Sequence, residues 1–332
     1  MTEGRSRRIV FGAVEAVLLL AIPLLGWVGF RAVLDTTEGQ AVDPQLDPDE
    51  PGYEAFLEPT PVELVAGTDS AGALSWLTVL VLSNTGATGG GAVLFVPVAT
   101  VVETAELGSV TLREAWAAGG RPVAVQAAAD LLGTGFGDVV VVDPQRVAEL
   151  IAPLGTLAVR NLDPLPDFDP GDLDLDGAAL ASYLQARAEG ETDLARLARH
   201  ESVWRAWLDA VAGSTDPDVV PGETTVGLGR FVRGIAGGPT SFDVIPATPF
   251  VPPPPEEGES TTSTSSTSST SSTSSTSSTT GTTATTVPPS DDPAAAEVFL
   301  ADLDAVATLV ESVVPFPVAS RPGARPRVRV LD

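Results

Sequence analysis

The densest group of charged side chains lies in residues 183–199, which read YLQARAEGETDLARLAR. Arg196 and Arg199 stand three residues apart, and on a helix this spacing projects both guanidinium groups from one face, where they could hold an anion. The same region also carries acidic residues, namely Glu189, Glu191, Asp193 and Glu201. Because a solvated helix face crossed by ion pairs has the same pattern, the residues alone favour neither interpretation.

The composition excludes several other kinds of site. The chain has no cysteine and a single histidine, His200, so it can form neither a disulfide framework nor a thiolate or histidine-rich metal site. His200 is most simply a residue on a helix surface. The net charge of -26 argues against nucleic acid as a partner, because phosphate binding needs a basic surface. The glycines at 89–91 lack the Lys-Ser/Thr of a phosphate-binding loop and indicate a turn.

The N-terminal residues have the pattern of a membrane anchor. Three arginines within residues 1–8 precede an almost unbroken apolar run from Ile9 to Phe30, and acidic sequence follows it. About 20 apolar residues in a helix cross the hydrocarbon core, and the basic flank stays in the cytoplasm. We therefore predict a transmembrane helix over residues 9–33, a cytoplasmic N-terminus and an extracytoplasmic main domain. A cleaved signal peptide is the alternative, but its apolar core is usually shorter and ends at small residues.

Two linkers divide the exported part. Residues 34–60 are acidic and proline-rich, which predicts a stalk between the membrane and the domain. Residues 251–292 are rich in Ser, Thr and Pro, a composition that cannot bury a core and is typical of an extended spacer that often carries O-glycans. These boundaries leave a folded domain at 61–250 and a C-terminal segment at 293–332.

Within the domain, short apolar runs alternate with helical patterns, which predicts an α/β fold with a sheet covered by helices. The predicted strands are Val62–Ala66, Leu77–Leu82, Ala92–Val96, Val139–Val142, Leu157–Val159 and Ser241–Ile245. The predicted helices are Pro144–Leu154, Ala178–Ala188, Leu194–Ala212 and two within Thr111–Leu132, separated at Gly119, Gly120 and Pro122. Helical spacing places Trp116, Trp204 and Trp207 in the core. Residues 297–314 predict an amphipathic helix that packs on the domain, and residues 327–331 a lone strand.

Several of these blocks, in this order, resemble the LytR-CpsA-Psr family. They are LVAGTDS at 64–70, LREAWAAGG at 112–120, VVVVDPQRVAELIAPLG at 139–155, LDG at 175–177 and the charged block at 183–199. Residues 313–332 are similar to the start of the LytR-type C-terminal domain. The resemblance implies a three-layer α/β fold with a central mixed sheet, preceded by one transmembrane helix.

The resemblance also implies a site and an activity. Members transfer a glycopolymer from a polyprenyl-pyrophosphate carrier onto peptidoglycan at the outer face of the cell membrane. Arginines hold the pyrophosphate, aspartates hold Mg²⁺, and the lipid lies in an apolar groove; arginine forks suit diphosphate oxygens, and the metal neutralises the remaining charge. When the family's residues are matched by position, the resemblance assigns pyrophosphate binding to Arg187, Arg196 and Arg199. It assigns metal or polar support to Asp69 and Asp193.

Other parts of the family pattern are missing. Where the family has an arginine soon after the first strand, this sequence has Ala71. Where the family has Arg-Ser-Asp-Thr before the second strand, this sequence has Leu-Ser-Trp-Leu at 74–77. Pro-Arg-Asp after the third strand is Pro-Val-Ala at 97–99, and residues 67–103 contain no Arg or Lys. Each lost hydrogen bond to a charged group is worth about 1.5–3 kcal/mol, so we expect transfer to fail and Mg²⁺ to bind only if the family site works.

Three hypotheses follow for the function. The first is a degenerate, non-catalytic family member that binds polyprenyl-linked glycopolymer, or assists its attachment to peptidoglycan beside an active family paralogue. The second is an active transferase with an unusual site, favoured by the surviving charged block. The third is a structural cell-wall protein whose spacer reaches into the wall.

Overall fold

A computed structural model describes residues 58–83, 89–222, 227–250 and 297–321. The predicted cytoplasmic residues 1–8 and transmembrane helix 9–33, nearly all of the stalk, the spacer and residues 322–332 lie outside the described residues. No helix among these described residues combines the length and the apolar composition that crossing a bilayer requires.

The core of the fold is a five-stranded mixed sheet. Its strands lie in the order β6 (Asp138–Val142), β1 (Val62–Thr68), β2 (Leu74–Leu82), β3 (Gly91–Val96) and β9 (Thr240–Val244). The neighbours β1/β2 and β2/β3 are antiparallel, whereas β1/β6 and β3/β9 are parallel. The three middle strands are almost entirely buried runs of branched apolar residues, as expected for a sheet covered on both faces. The other described strands form three two-stranded sheets: β4 Val101–Thr104 with β5 Gly108–Thr111, β7 Thr156–Asn161 with β8 Gly171–Asp176, and β10 Ala247–Pro249 with β11 Phe299–Ala301.

Six α-helices surround this sheet among the described residues: α1 Leu112–Leu132, α2 Pro144–Ile151, α3 Gly177–Gln185, α4 Asp193–Ala212, α5 Gly227–Ala236 and α6 Leu303–Val313. Capping side chains set several of their starts. Thr111 and Glu114 form a capping box at α1, and Asp143 accepts a hydrogen bond from Arg146 N at the start of α2. The predicted break in the first helix is confirmed, because Gly120 adopts φ 72° inside α1 and only glycine does so freely.

The helices divide the interior into two clusters, one on each face of the sheet. Helices α2, α3, α4 and α5 cover one face, which contains the buried rings of Trp76, Trp204 and Trp207 and is called here the aromatic face. Helices α1 and α6 cover the opposite face, whose buried members are all aliphatic, called here the aliphatic face. Alternation of side chains along each strand produces this division, so that Val65 faces one cluster and Leu64 the other.

Residues 297–321 complete the aliphatic face. Strand β11 pairs with β10, Thr60 N donates to Phe316 O at 2.9 Å, and Val306 and Val310 of α6 are buried in the cluster. The helix predicted over 297–314 is therefore wrong in its first part, because residues 299–301 form a strand and Asp302 caps a helix that begins at Leu303. Pairing with β10 outweighs the helical pattern of that stretch.

Candidate anion-binding site

The charged side chains converge on Asp193, the first residue of α4. Its carboxylate is 3% exposed and accepts hydrogen bonds from three arginines: Arg113 Nη2 at 2.7 Å, Arg196 Nη1 at 3.3 Å, and Arg187 Nη2. Thr192 caps the helix by accepting from Ala195 N at 3.0 Å. The helix N-terminus and three guanidinium groups thus surround one carboxylate, which leaves the site with excess positive charge.

Arg196 and Arg199 lie deeper and do not meet at one anion. Arg196 donates to Leu184 O at 2.9 Å and to Ser75 Oγ at 3.2 Å besides Asp193, and its burial lowers its pKa to about 10. Arg199 donates to Glu191 Oε2 and to Ala186 O, both at 2.8 Å. Arg196 shares the carboxylate of Asp193 with two other arginines and Arg199 pairs with Glu191, so both side chains support the site from inside and are little exposed to a ligand.

Arg113 and Arg187 form the accessible part of the site, with side chains 25% and 26% exposed. The sequence did not single out Arg113, which stands 80 residues before Asp193. The backbone N–H of Arg113 donates to Val98 O at 2.9 Å, which holds the start of α1 beside the end of β3. A ligand arriving from solvent would meet these two guanidinium groups first.

A glutamate from beyond the spacer completes the cluster. Glu297 Oε2 accepts a hydrogen bond from Asp193 N at 2.8 Å, across 104 residues of sequence. Burial is the largest cause of the raised pKa of Glu297, and the charge of Asp193 adds to it, while Arg187 and Arg113 oppose it. Backbone N–H groups at a helix N-terminus readily bind anions, so Glu297 takes a position suited to a phosphoryl oxygen.

Asp69 has a local structural role at the end of β1. Its Oδ1 accepts hydrogen bonds from Ala71 N at 2.8 Å and Ala73 N at 2.9 Å, which closes the turn into β2. Trp76 stands where the resemblance leads one to expect a second aspartate, and the described residues contain no group of three or more His, Cys, Asp or Glu suited to a metal ion. Mg²⁺ at a phosphate site is usually held by one or two carboxylates together with water and phosphate oxygens. Because Trp76 replaces one carboxylate and Asp69 Oδ1 is engaged in the turn, these residues fit the magnesium site implied by the resemblance poorly.

An apolar cavity of about 30 Å³ lies on the aromatic face, between the sheet and helices α2 to α5. Its walls include Val65, Leu150, Leu180, Trp204 and Trp207. The prediction that Trp204 and Trp207 are core residues is confirmed, with 5% and 6% exposure, whereas Trp116 is only partly buried.

His200 also lines this cavity and is 1% exposed, so its predicted position on a helix surface is wrong. Residues three and four apart share one helix face, and here that face points inward with Arg196. Burial, followed by the charges of Arg196 and Arg199, lowers the pKa of His200 well below 6.5, so the imidazole is neutral at pH 7. Its Nε2 atom has no hydrogen-bond partner among the residues that the structure describes.

Comparison with solved structures identifies the class of fold. No protein-family model matches the sequence, and no curated protein matches it either. The fold is that of the LytR-CPS2A-Psr proteins, and the resemblance found in the sequence is confirmed at the level of the fold.

The superposition on TagT of B. subtilis covers 79% of this chain and 94% of the TagT chain, with a TM-score of 0.52 and 14% sequence identity. The superposition on TagV of B. subtilis covers 77% of this chain and 98% of the TagV chain, with a TM-score of 0.53 and 15% sequence identity. A TagT structure with bound octaprenyl pyrophosphate lipid has a TM-score of 0.51 and 14% identity, with 79% and 93% covered.

Proposed function

We propose that this protein is a membrane-anchored, extracytoplasmic cell-envelope protein that binds polyprenyl-pyrophosphate-linked glycopolymer without transferring it. The N-terminal helix 9–33 holds it in the cell membrane with residues 1–8 in the cytoplasm. The neighbour solved with octaprenyl pyrophosphate supports this class of ligand. Peptidoglycan and an active family paralogue are further partners under this proposal.

The observation that carries the proposal is the position of an arginine cluster beside an apolar cavity. Arg196 and His200 stand one helical turn apart on α4, the arginine on Asp193 and the histidine in the cavity wall. A prenyl diphosphate has the same two parts, a multiply charged head and an apolar chain. Arginine forks bind phosphate oxygens in bidentate fashion, and apolar walls favour the chain.

Binding of the head requires a rearrangement of charge at the surface of the cluster. The diphosphate oxygens contact Arg113 and Arg187 and displace Glu297 from the N–H of Asp193. The buried pairs Arg196 with Asp193 and Arg199 with Glu191 remain and keep the accessible guanidinium groups in place.

The absence of transfer follows from the charges near the head. Phosphoryl transfer breaks the bond between the two phosphates and needs cations to stabilise the departing prenyl phosphate. Residues 67–103 supply no Arg or Lys, and the described residues contain no group of three or more His, Cys, Asp or Glu suited to a metal ion. The remaining arginines bind the intact ligand but do not stabilise the negative charge that develops on the departing phosphate.

Binding of a polyprenyl pyrophosphate to the detergent-solubilised full chain tests the proposal, with Arg187→Ala as the variant. Loss of one charge-assisted contact, worth about 1.5–3 kcal/mol, should weaken binding about 10- to 150-fold. Arg146→Ala is the matched control, because Arg146 pairs on the surface of α2 with Glu149. Equal affinity in wild type and Arg187→Ala would contradict the proposed head site.

A transfer assay separates the hypotheses for function. Binding without transfer to peptidoglycan supports the non-catalytic role, and transfer would establish an active enzyme. Absence of any binding would favour the structural cell-wall role. Because the chain has no native cysteine, Ser6→Cys and Ser320→Cys permit labelling with an impermeant maleimide, and only the second should react in intact cells.

A further inference from the structure

Two cavities meet at one pair of side chains. The apolar cavity of the aromatic face has a volume of about 30 Å³. A second cavity of about 10 Å³ lies against the arginine cluster, with Ser75, Asp193 and Arg196 in its walls. Among the described residues, Trp76 and His200 alone line both cavities, so their rings separate the charged site from the apolar one.

The two rings are held firmly in this position. Their centroids are 5.7 Å apart with an angle of 69° between the planes, an edge-to-face contact. Trp76 on β2 pairs with Gly67 on β1, and a Cβ on that glycine would lie 1.8 Å from Cε2 of the indole. Glycine at position 67 therefore gives the indole the space that it occupies between the two cavities.

Neither cavity can hold a prenyl chain while the rings stay in place. At about 30 Å³ the apolar cavity is far smaller than the roughly 150 Å³ cavity that accepts one benzene molecule in another protein, so it has no room for a chain of isoprene units. A ligand with its head at the arginine cluster and its chain in the apolar cavity would run past Trp76 and His200, which line both cavities. Such passage requires the indole or the imidazole to move.

We propose that Trp76 and His200 form a gate between the diphosphate site and the apolar cavity, and that this gate determines whether the prenyl chain is admitted. This inference rests on the proposed function, because it presupposes a prenyl diphosphate as the ligand. When a ligand binds only an open state, its apparent affinity falls by the fraction of molecules that are open. The closed gate therefore weakens binding of prenyl diphosphates and leaves binding of a bare diphosphate unchanged.

The test measures binding of two probes, farnesyl pyrophosphate and inorganic pyrophosphate, to the full chain. Trp76→Val removes the indole and keeps a β-branched residue suited to a strand. It should tighten farnesyl pyrophosphate binding about 10-fold and change pyrophosphate binding less than about twofold. Phe242→Val is the matched control, because it makes a similar truncation to a β-branched residue in strand β9, at a ring that lines neither cavity, and it should change neither affinity more than about twofold.

His200→Ala gives a second route to the same result, since it shortens the other side of the gate, and it replaces Trp76→Val if that variant does not fold. Equal gains in Trp76→Val and Phe242→Val would attribute the gain in affinity to loss of an aromatic ring anywhere in the sheet and overturn the gate. The gate also fails, while the proposed function stands, if wild type binds both probes and neither gate variant gains affinity for farnesyl pyrophosphate. Failure of wild type and both gate variants to bind either probe overturns the proposed function together with the gate.

Discussion

The two faces of the central sheet are built on different principles. On the aliphatic face every buried member of the cluster is Val, Leu, Ile or Ala. On the aromatic face, three buried tryptophans and Tyr183 share the interior with polar groups that lack hydrogen-bond partners among the described residues, including both carboxylate oxygens of Glu63, Thr78 Oγ1, His200 Nε2 and Trp207 Nε1. Buried polar atoms without partners are uncommon in native proteins and costly.

The difference indicates a division of labour within one domain. An aliphatic cluster has no polar group to satisfy, so close packing there contributes stability without an opposing desolvation cost. The aromatic face retains unsatisfied groups beside the arginine cluster and the cavities, the part of the molecule proposed to bind a ligand. Departures from full polar satisfaction are expected at functional sites and are offset elsewhere, here by the aliphatic face.

Asp193→Asn should have the largest effect on stability. The carboxylate balances three arginines, and removal of one member of a buried ion pair costs about 3–5 kcal/mol because the remaining charge is uncompensated. Urea unfolding measures the loss. Asp130→Asn is the matched control, because Asp130 pairs with the exposed Arg321 and its loss should cost no more than about 1 kcal/mol. Similar losses in both variants would contradict the central position of Asp193.

Leu94→Ala tests the aliphatic face. Leu94 is 1% exposed in β3, and truncation of a buried leucine costs about 2–5 kcal/mol through lost burial and the cavity that remains. Urea unfolding should show this loss, while the affinity for pyrophosphate stays at the wild-type value. Leu300→Ala is the control, since Leu300 is 45% exposed and its truncation should change stability by about 0.5 kcal/mol. A loss of diphosphate affinity in folded Leu94→Ala would mean that the two faces are coupled.

Glu63 makes the stability of the aromatic face depend on pH. Burial first, and then the charge of Asp138, raise the pKa of Glu63 from 4.5 to about 8, while Arg230 opposes the shift. Between pH 4.5 and about pH 8 the Glu63 carboxyl is protonated in the folded protein and ionised in the unfolded chain. The contribution of Glu63 to the free energy of unfolding is therefore fully present below about pH 4.5 and is lost as the pH rises to about 8.

Glu63→Gln should remove that dependence. Its stability relative to wild type should rise by a few kcal/mol between pH 5 and pH 8, at about 1.4 kcal/mol for each pKa unit. Urea unfolding at several pH values measures the difference, with the exposed Glu103→Gln as control. A constant difference between wild type and Glu63→Gln over this range would show that the Glu63 carboxyl is ionised in the folded protein.

Much of the fold could be predicted from local patterns. Strands of the central sheet appear as apolar runs, the Asp143 cap marks the start of α2, and Gly120 marks the break in α1. The sequence patterns do not predict strands β4, β5, β8, β10 and β11 or helix α5. Strand β8 has the sequence GDLDLD, whose aspartates are poor strand formers, and only pairing with β7 holds it extended.

The site could be predicted only in part, because its members are far apart in sequence. Arg187, Asp193 and Arg196 lie within one block, and the structure brings these three together. Arg113 and Glu297 reach Asp193 from 80 and 104 residues away, and no local pattern reports such contacts. His200 was assigned to the surface because helical spacing identifies which residues share a face but not the direction in which that face points.

Glu297→Gln should have the smallest effect, and it separates the accessible charge of the cluster from its buried charge. The amide can still accept the hydrogen bond from Asp193 N, so the fold should persist, but the negative charge near Arg113 and Arg187 is lost. Pyrophosphate should bind about 10-fold more tightly, which corresponds to about 1.4 kcal/mol, within the range for one charged contact.

Isothermal titration with wild type, Glu297→Gln and Glu106→Gln measures the effect of Glu297. The control makes the same change of net charge at an exposed glutamate in the turn between β4 and β5. Equal gains in the two variants would attribute the effect to overall charge, since long-range attraction is common to both. A gain confined to Glu297→Gln would mean that this carboxylate competes with the diphosphate at the N-terminus of α4, and that the buried pairs behind it only position the accessible arginines.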